Sequence, residues 1–179
     1  MTDEELLRFC AVNETVRVER DANGELLLMT PAGGGTSHKN TLIIVQLGQW
    51  AERTNSGLAF DSNAGFTLPD GSMRSPDAAW IAWSRWNALT LSQQEVFAPI
   101  SPDFIIELRS PSDRLSGLQA KMAAWTANGV QLAWLIDPLR KTVEIYRPGR
   151  EAEMIEGSSF VEGDGPVEGF VLELGRIWA

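Results

Sequence analysis

The chain has one cysteine, one histidine and three lysines, and each scarcity removes a class of chemistry. Cys10 alone can form neither an intrachain disulfide nor a cysteine-based zinc site. His38 alone excludes multi-histidine metal centres, and a serine–histidine pair would have to use this one residue. No apolar run approaches the length of a membrane span. The acidic start M-T-D-E-E-L-L lacks the basic region of a secretion signal, so a cytoplasmic location and no membrane partner are expected. Basic residues are also outnumbered: the net charge of −9 argues against a general nucleic-acid-binding surface, which needs clustered Lys and Arg. A local basic groove remains compatible with that charge.

What is present is ordinary globular material, 44 % apolar and 22 % charged. Its 179 residues suit one domain with a continuous core. That domain is expected over 1–179, with its core at about 14–150 and edge strands in 151–179. Residues 2–10 read as a short amphipathic helix. Strands at 16–20 and 25–30 flank Asn23-Gly24, a strong hairpin signal. After the glycine-rich P-A-G-G-G, Thr36 and Ser37 can cap a helix running from about 39 to 53. Strands follow near 57–60, 64–68 and 77–83, the last two separated by the turn Pro69-Asp70-Gly71. Short helices are expected at 84–89, with Trp86 inward, and at 92–97. The clearest buried strand is 103–109. A helix over 112–128 closes at Asn128-Gly129, then strands 131–136 and 142–147 lead to edge strands at 152–156 and 169–173. Strand, helix and strand over 103–136 imply a right-handed crossover within one sheet. The fold class is therefore α/β, a mixed sheet flanked by helices, with an N-terminal β-hairpin.

Three residues carry the chemistry: Asp77 and Glu107 on strands, and Lys121 on the helix that follows. Two carboxylates and a lysine are the minimum set for holding a divalent cation against a phosphodiester and activating a water beside it. Strand alternation puts Asp103, Ile105, Glu107 and Arg109 on one face and Phe104, Ile106 and Leu108 on the other. A carboxylate in so apolar a strand needs a partner, either a cation or an internal pair with Arg109 or a lysine. Asp77 follows a proline at a strand's start, where a capping role competes with ligation. Asp103 shares that context and reads as structural, since it lies about four strand residues, roughly 13 Å, from Glu107. On the helical wheel Leu115, Leu118, Met122 and Trp125 form the buried stripe, and Lys121 falls about 40° beyond Trp125. A lysine at that border can lay its stem on the core and bring its ammonium to the end of the sheet.

The chain resembles the Uma2 family (DUF820), a restriction-endonuclease group of the PD-(D/E)XK nuclease superfamily. The resemblance rests on G-E-L-L-L-M-T-P at 24–31, G-F-T-L-P-D-G-S-M-R-S-P-D-A-A-W at 65–80, P-D-F-I-I-E-L-R-S-P-S-D at 102–113 and L-Q-A-K-M at 118–122. It continues through N-G-V-Q-L-A-W-L-I-D-P at 128–138 and V-E-I-Y-R-P at 143–148. The superfamily pattern is an Asp, then Glu-x-Lys on the next strand. Asp77 and Glu107 match the acids, but Arg109 occupies the lysine slot, and arginine keeps its proton. In similar families the lysine has moved to the following helix, which implies Lys121. The resemblance further implies Glu19, in R-V-E-R, as an acid near the site, and His38 as a polar residue touching substrate. This chain departs from the family in having Gly117 where an Asp is common and Trp125 where a Tyr is common.

The expectation is thus a Mg²⁺- or Mn²⁺-dependent DNA endonuclease. Asp77 and Glu107 are the metal ligands, Lys121 and Glu19 complete the catalytic set, and Arg109, Arg74 and His38 contact substrate. The alternative is a non-catalytic interaction protein on a nuclease scaffold, because fold does not imply function. The tail or the tryptophans would then supply apolar homodimer contacts. An RNA-directed nuclease is not separable by sequence.

Overall fold

The structure, a computed structural model, describes residues 1–13, 16–29 and 31–179. Its elements in chain order are α1 (Asp3–Val12), β1 (Arg17–Arg20), β2 (Leu26–Met29), α2 (Gly34–Thr54), β3 (Gly57–Asp61), β4 (Phe66–Thr67), β5 (Met73–Arg74) and β6 (Ala78–Ala82). Two short helices, α3 (Trp83–Trp86) and α4 (Leu91–Gln94), lead to β7 (Phe104–Leu108), α5 (Leu115–Ala127), β8 (Leu132–Asp137), β9 (Thr142–Tyr146), β10 (Glu153–Glu156), β11 (Phe160–Glu162) and β12 (Val171–Glu173).

The central sheet has six strands in the order β10-β9-β8-β7-β6-β3. Only β7 and β8 are parallel, and α5 makes the crossover between them. The strict alternation of β7 sorts its side chains into two cores. Phe104, Ile106 and Leu108 pack with Ile43, Leu47 and Trp50 of α2, while Ile105 packs with Met122 and Trp125 of α5. A second, antiparallel sheet, β2-β1-β5-β4, carries the N-terminal hairpin. Its Val18 and Met73 pack on Leu6 of α1. Asp21 takes the N–H groups of Asn23 and Glu25, and Gly24 adopts φ +84°, so the hairpin turn forms where Asn-Gly placed it.

Several expectations shift. Helix α2 begins at Gly34, five residues before Lys39, so Thr36 and Ser37 lie inside it and Gly33 is its N-cap without a side-chain bond. Helix α5 begins at Leu115, because the Asp113 carboxylate accepts from the N–H and hydroxyl of Ser110 and closes a turn ahead of it. The expected strand at 169–173 does not join the main sheet. It pairs with β11 as a separate hairpin that caps the α2-side core through Val161, Phe170 and Leu172. Thr30, the last residue of the expected second strand, lies outside the described residues. Trp50, Trp80, Trp125 and Trp134 are buried in the core, and Trp83, Trp86 and Trp178 are half-buried. No helix is long and apolar enough to cross a membrane.

Candidate active site

Strand β6 runs antiparallel to β7 with Ala78 opposite Ile106. One residue further along, the register sets Asp77 across from Glu107, and directly opposed residues of antiparallel strands lie about 5 Å apart on one face. That face is covered by α5, whose Lys121 and Trp125, one helical turn apart, both reach the same carboxylate oxygen. Lys121 Nζ lies 2.9 Å from Glu107 Oε1, and Trp125 Nε1 donates to that oxygen at 2.9 Å. The small sheet adds Glu19 from β1: its Oε1 accepts from Lys121 Nζ at 2.9 Å and from the N–H of Ser75 at 3.0 Å. Two strands of one sheet, one of another and a helix thus deliver Asp77, Glu107, Glu19 and Lys121 to a single cavity of about 1090 Å³.

The carboxylates share a pattern. In each, the fold fixes one oxygen and leaves the other without a strong partner. Asp77 Oδ2 accepts from the N–H of Leu108 at 2.8 Å, whereas Oδ1 has only Asn40 Nδ2 at 3.5 Å. Glu107 Oε2 accepts no hydrogen bond from a described residue, and Glu19 Oε2 is buried without one. Arg74 Nη1 stands 3.9 Å from Glu19 Oε2, too far for a hydrogen bond, and Arg74 Nε is itself buried and unpartnered.

Burial is the main reason the acids are hard to ionise. It pushes Glu107 up to about 7, with Lys121 opposing and the charges of Asp77 and Glu19 reinforcing the rise. Asp77 is raised as well, chiefly by burial, against the stabilising Leu108 N–H and Lys121. Burial alone would lower Lys121, but the adjacent Glu107 and Glu19 carboxylates outweigh it and hold the ammonium charged. Lys121 is therefore a donor and a fixed positive charge here, not a base.

Do these residues suit a divalent cation? Among the described residues, no three acid, histidine or cysteine side chains are grouped as a protein-only metal shell. Mg²⁺ rarely asks for one, since it is usually held by one or two carboxylates together with waters and substrate phosphates. Asp77 and Glu107, with free oxygens on one face and carboxyls that burial makes costly to ionise, fit that mode. Glu19 has a different place: it secures Lys121.

The remaining expected residues divide. Arg74 lines the cavity beside Glu19. Arg109 also lines it, but its Nη1 donates to buried Asp137 at 2.7 Å and its other nitrogens approach the carbonyl of Asp113 at 3.3 and 3.4 Å. That guanidinium is tied to the end of β8 and the loop before α5 while remaining in the cavity lining. His38 sits exposed on α2 and does not line the cavity, so the structure does not bring it to the site. Trp125 and Asn40 were missed by sequence reasoning. Trp125 could have been found from its i, i+4 relation to Lys121, because a buried indole N–H seeks an acceptor. Asn40 gave no such signal.

Among the described residues, six basic ones line this cavity, Arg17, Lys39, Arg74, Arg109, Arg114 and Lys121, against four acidic ones. The acidic chain therefore carries a locally basic cleft around its buried carboxylates.

Sheet order, crossover helix and paired acids beside a lysine define the restriction-endonuclease-like class of fold. Residues 3–175 match the family Uma2, "Putative restriction endonuclease", and the chain belongs to that family. It is also similar to the crystal structure of a "putative nuclease belonging to DUF820" from Anabaena variabilis, with a TM-score of 0.76 at 22 % identity over 90 % of this chain and 89 % of that one. That likeness shows the fold. No curated protein matches the chain.

Arg109→Ala is expected to cost about 3–5 kcal/mol of stability, because it leaves the Asp137 carboxylate, 1 % exposed, without its cation. Urea denaturation measures this, and an unchanged midpoint would show that the Arg109–Asp137 pair does not hold the fold.

Proposed function

We propose that this protein is a divalent-metal-dependent endonuclease that hydrolyses DNA phosphodiester bonds. The observation that carries the reading is the pairing of Asp77, whose Oδ1 has only a long bond from Asn40, with Glu107, whose Oε2 accepts none from a described residue, beside Lys121 in a cleft lined by basic residues. Asp77 and Glu107 would hold Mg²⁺ or Mn²⁺, which when bound lowers the pKa of a coordinated water and offsets charge on the phosphate. The chain's own groups do the rest. Arg17, Arg74 and Arg114 draw the phosphate backbone into the cleft. Lys121, held charged by Glu19, faces the scissile group as a donor and stabilises the negative charge that develops in the transition state. Trp125 keeps the Glu107 carboxylate in one orientation, so that its free oxygen points to the same place in every molecule. The non-catalytic reading draws support from the net negative charge and from Arg109 in the slot of the Glu-x-Lys lysine, and the basic residues of the cleft weaken the first of these.

The test is nicking of supercoiled plasmid with Mg²⁺ or Mn²⁺. Cleavage is expected from the parent protein and none from Asp77→Asn. A parent protein that cleaves with neither metal, and whose melting temperature neither metal changes, would hand the case to the scaffold reading.

A further inference from the structure

The cleft has a second chemical character besides its basic floor. Two separate elements bring apolar side chains into its lining: β2 contributes Leu27, and the turn between β8 and β9 contributes Pro138 and Leu139. Leu27 and Leu139 are each 57 % exposed. Leu27 lies opposite Glu19 across the β1–β2 ladder and so shares the face of the site, whereas its neighbour Leu28 lies opposite Val18 on the face that packs on α1. Apolar side chains left in water beside a charged site call for a partner that is itself part apolar and part anionic.

Glu19 and Glu107 are recessed in the same cleft, only 2 % and 4 % exposed, so a reacting phosphate has to enter it and bring its neighbouring bases against the apolar lining. In intact duplex the bases beside that phosphate are stacked and paired, and their apolar faces are hidden. In unpaired nucleic acid those faces are free to meet the apolar lining while the backbone follows the arginines. Among the described residues the cleft lining contains no aromatic side chain, so its contacts to unpaired bases are aliphatic rather than ring stacking. Leucine and proline are instead side chains that proteins use to wedge apart a base step.

Resting on the nuclease reading above, we propose that the site takes nucleic acid with unpaired bases at the scissile step, in a single strand, a bulge or a duplex opened locally. Leu27 and Leu139 hold the separated bases. The basic floor supplies affinity regardless of sequence, and the two leucines supply the selection for unpaired structure.

The experiment measures binding in EDTA, so that cleavage does not consume the probe. Fluorescein-labelled 20-nucleotide single strands, the matching duplex, and the same duplex with a five-nucleotide bulge are titrated with the full-length protein. The single strand and the bulge are expected to bind roughly tenfold tighter than the duplex. The double variant Leu27→Ser/Leu139→Ser should lose that preference while keeping duplex affinity and the slope of affinity against salt, since no phosphate contact is removed. Melting curves check that the variant folds, which the exposure of both positions favours. Equal binding of all three probes, or a preference that survives the double variant, overturns the proposal and leaves the nuclease reading intact. No binding of any probe, with no plasmid cleavage, overturns both. A parent protein that dimerises in sedimentation experiments and a double variant that stays monomeric would make the two leucines an interface between copies and also end the proposal.

Discussion

Glu107→Gln is expected to abolish cleavage and, in the same molecule, to raise the melting temperature of the metal-free protein at neutral pH. The loss of activity follows from removing one of the two carboxylates proposed to hold the cation. The gain in stability follows from linkage. Glu107 titrates near 7 in the fold, against an ordinary value of 4.5, so the native state binds this proton more tightly than the unfolded chain. The resulting stability is fully present below pH 4.5 and is lost as the pH rises through 7. By pH 8 the fold carries a buried carboxylate at a cost on the order of 3 kcal/mol. Glutamine keeps an oxygen for the Trp125 indole and carries no charge to bury. In EDTA, the variant should melt several degrees above the parent at pH 8, and the gap should close toward pH 4.5. Mg²⁺ should narrow the gap at pH 8 by stabilising the parent alone. A gap that is the same at every pH would show that desolvation of Glu107 is not its source.

Lys121→Met is expected to act in the opposite sense on stability. The ammonium lies 2.9 Å from both Glu19 and Glu107, and all three side chains are largely buried. Removing the one cation they share leaves two carboxylates in a low-dielectric site, which costs about 3–5 kcal/mol at pH 8. Lowering the pH lets Glu107, already displaced upward, take a proton, so the penalty shrinks. Chemical denaturation of parent and variant at pH 8 and pH 5.5 checks this. Equal stability at pH 8 would mean that Lys121 is not the counter-charge of the cluster. Cleavage should be lost at both pH values, and the acidic measurement separates that loss from simple unfolding. Lysine at this position therefore has two duties, and a rate defect in the variant has to be read beside its folded fraction.

The elements of the main sheet were legible because each is a short, strongly patterned run. The segment 103–109 alternates between two apolar faces, and 112–128 carries a stripe that ends at Asn128-Gly129. Boundaries failed where a side chain overrode the pattern, as with the Asp113 turn ahead of α5. They also failed where glycines began a helix that they do not ordinarily favour, at Gly33–Gly35. The hairpin at 160–173 was read as one edge strand because Gly163–Gly169 hides a pairing that only packing on the α2-side core reveals.

By itself the sequence determined which chemistries were excluded, which strands would be buried, and that Asp77, Glu107 and Lys121 were residues of interest. A lone histidine, a lone cysteine and an acid inside an apolar strand are facts of composition and spacing, and they hold before any folding. Only the tertiary structure decided what each charged group touches. Arg109 occupies the usual lysine slot yet belongs to Asp137, and Glu19, distant in sequence, belongs to Lys121. His38 turns outward, and Arg17, Arg74, Arg109 and Arg114, far apart in sequence, meet around one cleft. The physical reason is the range of the forces involved. Hydrophobic alternation is set by near neighbours along the chain. The pairing of buried charges depends on which distant strand and helix are brought within about 3 Å, and on how much water is removed when they meet.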